Sequence, residues 1–164
     1  MCIRDRGEYA SSSNSQDDIA TIASEKNGVQ LRADDHPDDI AFAHPIATGL
    51  AGQANQSGLI STRHDQDLFR LEVNAGTIDV AVSGLSVGSN LDIEVNLLDA
   101  EGTVLQTFGS DDSLSVAVQT NVTRGTYYLE VDGVGRGDPV SDGYSDYGSL
   151  GPVSYTHLTL PTKA

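Results

Sequence analysis

Residues 125–151 read GTYYLEVDGVGRGDPVSDGYSDYGSLG and contain the clearest strand pattern of the chain. At the start of this stretch the side chains alternate, with Tyr127, Leu129 and Val131 on one face. The remainder is rich in Gly, Asp and Tyr and contains no pair of a nucleophile and a base. The pattern predicts the last hairpin of an all-β domain, with a polar loop at one end.

Several shorter alternating runs come before this stretch, separated by Gly, Asn, Asp or Ser turns. The predicted strands are residues 58–61, 67–73, 77–83, 91–98, 103–108, 114–118 and 126–132, and one that begins near Tyr147. About eight short strands without a convincing long helix predict an antiparallel β-sandwich or a jelly-roll-like domain. The fold class is therefore all-β.

The charge of the chain limits its partners. The 164 residues include 24 acidic and 9 basic ones, giving a formal net charge of -15. This balance argues against binding to nucleic acid or anionic lipid, because both depend on Lys and Arg that neutralise phosphates. No apolar run approaches the roughly 18 residues of a membrane span. The single cysteine, Cys2, excludes an internal disulfide framework. We predict neither a nucleic-acid nor a membrane partner.

The two ends of the chain differ in sequence character from the segments between them. Residues 1–6 (MCIRDR) and 152–164 (PVSYTHLTLPTKA) resemble translated sequencing-adapter sequence, which carries no information on the fold. This interpretation places the β-domain at residues 58–151, with a truncated last strand. The alternative is a genuine last strand, because SYTHLTL also alternates.

Residues 7–57 are polar and have little apolar periodicity. They predict an irregular acidic linker, or the tail of an upstream domain, because they cannot bury a core of their own. Within them, DIATIA at residues 18–23 allows a short helix or strand, with Asp17 or Asp18 as a candidate N-cap.

Three motifs together resemble the bacterial pre-peptidase C-terminal domain. They are D-x-D-x-F at Asp65, Asp67 and Phe69, NLDIEVNLLDAEG at residues 90–102, and GTYYLEV at residues 125–131. The resemblance covers about residues 58–151. It implies a non-catalytic β-sandwich carried at the tail of secreted proteases, and therefore a secreted protein.

The preceding segment resembles the region just after the catalytic domain of secreted, metzincin-type zinc metalloproteases. The matching pieces are GEYA at residues 7–10, QDDIATIA at residues 16–23 and RADDH at residues 32–36. This resemblance implies a partner in the same parent chain, an upstream protease domain with an H-E-x-x-H zinc helix. The four histidines of this sequence, at positions 36, 44, 64 and 157, never form an i, i+4 pair. We therefore predict no catalytic residue and no zinc site here.

The leading functional prediction is a non-catalytic accessory domain of a secreted metalloprotease, which would assist folding or secretion or dock the protease on its substrate. Removal during maturation is compatible with this role. The alternative is an extracellular β-sandwich module that binds polysaccharide or collagen.

Five aspartates are candidate calcium ligands, because carboxylate oxygens suit hard cations. Asp65 and Asp67 lie two residues apart at a strand entry, so both can face one ion. Asp138, Asp142 and Asp146 lie in the Gly-rich loop after GTYYLEV and could form an oxygen-rich cage. The alternatives are turn-capping aspartates and an ordinary polar loop.

A further acidic cluster and two tyrosines also remain open. His36 is surrounded in RADDHPDD by Asp34, Asp35, Asp38 and Asp39. This run could hold calcium, lie beside a zinc ion, or be a solvated linker. Tyr144 and Tyr147 are candidates for a binding surface that stacks on sugar rings or peptide side chains. Their alternative role is to plug the end of the sandwich.

Overall fold

A computed structural model describes residues 8–9, 11–12, 16–46, 53–85, 89–109 and 113–159, except for the side chains of residues 53 and 156–159. Within these ranges the chain forms nine strands and one short α-helix. The strands are β1 (His44–Pro45), β2 (Gln53–Ile60), β3 (Gln66–Val73), β4 (Gly76–Gly84), β5 (Ile93–Leu98), β6 (Val104–Phe108), β7 (Ser115–Val122), β8 (Gly125–Gly133) and β9 (Gly151–Thr159). The helix is α1 (Asp18–Ile22), and the 3-10 turns are Glu25–Asn27, Ile40–Phe42 and Asp146–Gly148.

The strands form two sheets that pack face to face. The first sheet has the order β1-β3-β8-β5-β6, and the second has the order β2-β9-β4-β7. Neighbouring strands are antiparallel except for β1, which runs parallel to β3. The predicted antiparallel β-sandwich is confirmed.

The core follows from the period-two alternation of the strands. In β4, for example, Ile78, Val80 and Val82 are buried, and the residues between them are more exposed. The two inner faces form one cluster of buried side chains, which includes Phe69, Leu71, Ile93, Val95, Leu129 and Val131. The alternation identified in the sequence therefore selects the side chains that fill the space between the sheets.

The last strand corrects the predicted end of the domain. The predicted sandwich ends at residue 151 with a truncated strand, whereas β9 continues to Thr159. It lies between β2 and β4, and its Val153 and Tyr155 belong to the core. Alternation places Val153 and Tyr155 on the inner face, and the backbone of the segment pairs with β2 on one side and β4 on the other. Residues 1–6, with Cys2, and residues 160–164 lie outside the described part.

The segment before the sandwich differs from the predicted linker. β2 begins at Gln53, ahead of the predicted boundary at residue 58. Asp17, one of the two predicted N-caps, is the N-cap of α1. Its Oδ1 accepts a hydrogen bond of 2.8 Å from the Ala20 N–H. Farther along, residues 34–45 lie against β2 and β3, where Leu68 donates its N–H to the Pro37 carbonyl. This docking uses hydrogen bonds to strand edges, which leave no apolar periodicity in the sequence.

No helix in the described ranges has both the length and the apolar content that a bilayer crossing needs.

Candidate metal centre

The centre begins with a carboxylate in the interior of the sandwich. Alternation in β3 places Asp67 on the same face as Phe69 and Leu71, and its side chain has no solvent exposure. Its Oδ2 accepts a hydrogen bond of 2.6 Å from the hydroxyl of Tyr155, which lies on β9 of the opposite sheet. This bond joins the two sheets through a polar contact at one edge of the apolar core.

Gly58 on β2 makes room for this carboxylate. A Cβ atom at this position would overlap Asp67 Oδ2 and come within 3.0 Å of the Tyr155 hydroxyl. Both of those groups are held in the interior, so a larger residue could not be accommodated by a swing of a side chain to solvent. The glycine is required here by close approach rather than by its backbone angles.

Asp65 brings a second buried carboxylate to the same place. It ends the connection between β2 and β3 and is 4% exposed. Its Oδ2 accepts a hydrogen bond of 2.6 Å from the Ser61 N–H, which closes the connection on itself. A carboxylate oxygen of Asp65 lies within 4.8 Å of one of Asp67, and calcium binding by this pair stays a prediction.

The acidic run before the sandwich completes the cluster. The Asp34 carboxylate accepts from the His36 N–H at 2.9 Å, and the Asp35 carboxylate accepts from the Leu59 N–H of β2 at 3.0 Å. The His36 Nε2 lies 2.8 Å from the Ser57 carbonyl oxygen, so it is the protonated, donating nitrogen in this contact. The imidazole is buried and packs on Phe69, with ring centroids 4.7 Å apart.

Two sets of potential ligands converge on Asp67. Atoms of Asp34, Asp65 and Asp67 lie within 4.8 Å of one another, and so do atoms of Asp35, His36 and Asp67. The first set offers only carboxylate oxygens, which suit calcium. The second set includes an imidazole, which suits zinc and similar ions. In the sequence, residues 34–36 and the pair Asp65 and Asp67 are separate candidate sites, and the fold brings their side chains together.

Buried polar atoms without a hydrogen-bond partner indicate whether a cation fits this cluster. Asp65 Oδ1, Asp67 Oδ1 and His36 Nδ1 are buried and have no hydrogen-bond partner within the described part of the chain. Burial without a partner costs about 1–3 kcal/mol for each polar group, and more for a charge. A bound cation would satisfy the carboxylate oxygens, so the residues present fit a metal ion.

Burial also changes the protonation of these carboxylates. It raises the pKa of Asp67 to about 7, against the opposing effects of the Tyr155 hydroxyl and of His36. Burial raises the pKa of Asp65 as well, although the bond from Ser61 opposes this shift. The hydrogen bonds and charges around the two carboxylates therefore do not offset the cost of burying them in ionised form, and a divalent cation would stabilise that form.

The three aspartates of the second predicted calcium site have different surroundings. The Asp138 carbonyl accepts N–H bonds from Ser141, Asp142 and Gly143, which makes this part of the loop a tight turn. Asp146 forms an ion pair with Arg63, whose guanidinium also contacts Glu8 at 2.9 Å. Asp138, Asp142 and Asp146 do not converge among the described residues. Among the described residues this loop forms a hydrogen-bonded turn followed by a carboxylate paired with Arg63, and calcium binding there stays a prediction.

The two candidate tyrosines have different roles. Tyr147 is 5% exposed, and its hydroxyl donates to Asp17 Oδ1 at 2.8 Å and accepts from the Ile19 N–H at 2.7 Å. These two bonds hold the start of α1 against the buried ring. Tyr144 is 48% exposed and donates to Asp92 Oδ2 at 2.6 Å, at a cavity of about 380 Å³. Of the two, Tyr144 is the more exposed.

Sequence reasoning missed Tyr155 and Gly58 as parts of the site. Tyr155 lies in the segment that resembles adapter sequence, and the sequence pattern marks Gly58 only as the start of a predicted strand. The alternation of SYTHLTL was the signal that could have placed Tyr155 on an inner face.

No protein-family model and no curated protein matches the sequence. The structure is similar to the pre-peptidase C-terminal domain of collagenase from Bacillus anthracis, with a TM-score of 0.51 and 14% identity over 74% of this chain and 97% of that one.

Two further solved structures are more distant. PliG from Aeromonas hydrophila, a periplasmic inhibitor of g-type lysozyme, has a TM-score of 0.47 and 16% identity, covering 69% of this chain and 91% of that one. A β-glucosidase from Paenibacillus barengoltzii has a TM-score of 0.33 and 16% identity, covering 77% of this chain and 12% of that one. By its similarity to the collagenase domain, the chain has the fold of a pre-peptidase C-terminal domain.

Proposed function

We propose that this chain is a non-catalytic accessory domain of a secreted bacterial metalloprotease and that calcium stabilises it. The fold shared with a collagenase domain supports the accessory role. The observation that carries the calcium assignment is the convergence of the exposed Asp34 on the buried Asp65 and Asp67, each of which has one carboxylate oxygen without a partner within the described residues. All atoms of this group that could bind a cation are hard oxygen ligands.

Calcium would connect two parts of the chain. Asp34 lies in the segment before β2, and Asp65 and Asp67 belong to the sandwich. An ion held by all three carboxylates would attach that segment to the first sheet and compensate the negative charge that burial makes costly. Its contribution is structural, because it supplies charge and ligand bonds at an edge of the core.

Calorimetric titration of the full chain with calcium tests this assignment. We expect saturable binding with a dissociation constant below about 1 mM, as in extracellular calcium modules. Asp65→Asn should weaken it at least tenfold, because it removes one ligand charge. The matched control is Asp138→Asn in the turn of the Gly-rich loop, which should bind as the unmodified chain does. Absence of heat, or equal weakening by both variants, would overturn the calcium assignment.

A parallel titration with zinc separates the two ligand sets. If calcium occupies the carboxylate set, His36→Gln should leave calcium affinity within about twofold, since His36 belongs to the other set. If zinc binds more tightly than calcium and this binding is lost in His36→Gln, the site would be assigned to zinc instead of calcium. A circular-dichroism spectrum of each variant establishes that it has folded.

The protease context has its own test in the parent gene. The proposal requires an upstream coding region for a domain with an H-E-x-x-H zinc helix. Reading the source DNA upstream of Gly7 would reveal it. A parent gene without that motif would contradict the accessory role and leave the calcium assignment to be judged separately.

A second candidate function is supported by Tyr144. Its half-exposed ring lies at a cavity whose lining includes Asn90 and Asp92, a combination of aromatic and polar groups that suits polysaccharide or collagen. Retention on insoluble chitin, cellulose or collagen that is lost in Tyr144→Ala and kept in Tyr128→Ala would favour this function. Equal retention of both variants would exclude Tyr144 as the anchor.

A further inference from the structure

A second surface of the molecule has features of a ligand site. A groove of about 690 Å³ is lined on one side by α1 and residues 29–32, and on the other by the end of β2 and the start of β9. Its apolar lining includes Ile19, Ile22, Leu31, Leu59, Leu85 and Pro152. None of the candidate metal ligands contributes to it.

The groove gathers apolar side chains that remain in contact with water. Ile22, Val29, Leu31 and Leu85 line it and are 41% to 59% exposed. Single exposed apolar residues are ordinary on protein surfaces, but several that share one concave surface mark an interaction site. A ligand that covers them would gain the free energy of apolar burial.

One wall of the groove also offers free backbone groups. Residues 29–32 belong to no helix or strand, and their N–H and C=O groups form no hydrogen bond with other described residues. Unpaired backbone beside an apolar groove is the arrangement to which an extended peptide adds by backbone pairing. A fatty acid could fill the groove but could not use these donors and acceptors in sequence.

Arg32 adds a charge requirement. It is the one charged residue in the lining of the groove, and it forms no ion pair with any other residue in the described ranges. In a chain with 24 acidic and 9 basic residues, an unengaged guanidinium at an apolar groove stands out. It is complementary to a single carboxylate, which it can bind through two parallel N–H donors.

We propose that this groove binds an extended peptide that ends in apolar residues, with the free C-terminal carboxylate of the peptide at Arg32. The apolar walls take its side chains, and residues 29–32 pair with its backbone. Hydrolysis of peptide bonds is the class of reaction that produces such ends. The inference rests on the groove alone and does not require the calcium site.

Fluorescence anisotropy with the full chain tests the carboxylate contact. The probe is fluorescein-labelled Gly-Ser-Val-Leu-Val-Leu, either with a free carboxylate or as the C-terminal amide. We expect the free acid to bind roughly fivefold more tightly, as an exposed ion pair allows. Arg32→Ala should abolish this preference, and Arg124→Ala should retain it, because Arg124 is exposed in the turn between β7 and β8 outside the groove.

Two further changes test the walls and the backbone. Leu31→Ser and Leu85→Ser should weaken both peptides, whereas Leu105→Ser on β6 should not, although Leu105 is exposed to a similar degree. N-methylation of alternate peptide bonds in the probe should abolish binding, because it removes the donors that pair with residues 29–32. Asp67→Asn should leave peptide affinity unchanged, which separates this surface from the metal centre.

Three results would overturn the proposal. These are no anisotropy change up to about 1 mM protein, equal affinity for acid and amide, and full binding of the N-methylated probe. Dodecanoate that displaces the probe would be compatible with the groove. Dodecanoate that binds while the unmodified peptides do not would instead identify an amphiphile site.

Discussion

The molecule contains two acidic clusters with different surroundings. In the metal centre, Asp65 and Asp67 are buried, converge, and keep carboxylate oxygens without partners among the described residues. In the Gly-rich loop, Asp138 caps a turn and Asp146 is paired with Arg63. The number of aspartates is similar, but only the first cluster needs a charge from outside. Burial and the lack of a counter-charge distinguish a candidate cation site from an acidic loop.

The strongest test of this contrast is the pH dependence of stability without calcium. Because the pKa of Asp67 is raised to about 7 in the folded chain, against about 3.9 in the unfolded one, folding takes up a proton between these values. Below about pH 4 this shift adds to the free energy of unfolding. As the pH rises from about 4 to about 7 the contribution is lost, and the free energy of unfolding falls by roughly 4 kcal/mol.

Urea unfolding in EGTA at several pH values between 4 and 8 measures this effect. Asp67→Asn should reduce the decline in the free energy of unfolding by about that amount, while Asp146→Asn should retain it. Saturating calcium should also reduce the decline, because the cation stabilises the ionised carboxylate. An identical pH dependence in the unmodified chain and in Asp67→Asn would contradict the assignment.

A pair of glycine variants gives the next largest difference. Gly58→Ala should destabilise the chain by about 3 kcal/mol, because the new methyl group overlaps the buried Asp67 carboxylate. Gly137→Ala in the Gly-rich loop should cost only about 1 kcal/mol, since its φ of +60° is strained for alanine but its nearest neighbour lies 3.2 Å away. Thermal unfolding of both variants measures the two costs, and equal losses would show that the space around Asp67 can relax.

A pair of tyrosine variants compares the hydroxyl contacts. Tyr155→Phe should cost about 2 kcal/mol without calcium, because Asp67 loses the donor of a buried hydrogen bond. Tyr144→Phe should cost about 0.5 kcal/mol, since Tyr144 is half-exposed and water can take the place of its hydroxyl beside Asp92. Denaturant unfolding of the two proteins measures this difference. A larger loss for Tyr144→Phe would reverse the ranking of the two sites.

The smallest effect is expected at the ion pair of the Gly-rich loop. Arg63→Gln should lower stability by about 1 kcal/mol, because the pair with Asp146 and Glu8 is only partly buried. The loss should shrink in high salt, and calcium affinity should stay unchanged. Calorimetric titration and unfolding at two salt concentrations check both statements. A change in calcium affinity would show that the two clusters are coupled.

Local patterns predicted much of the sandwich. Alternation in β3, β4, β5 and β8 depends only on neighbouring residues, so it identified those strands and their inner faces. The N-cap at Asp17 was predictable for the same reason, since it bonds within one helical turn. The meeting of Asp34 with Asp65 and Asp67 was not, because it joins segments about thirty residues apart through contacts that leave no periodic signal.

The sequence by itself determined an acidic, all-β chain, its main strands, and two aspartates that face one site. Only the tertiary structure decided that β9 lies between β2 and β4, that Tyr155 reaches Asp67, and that Arg63 neutralises Asp146. The physical reason is one of range. Strand alternation and helix capping are properties of consecutive residues, whereas strand order, burial of a carboxylate and the choice of its counter-charge depend on which distant segments pack together.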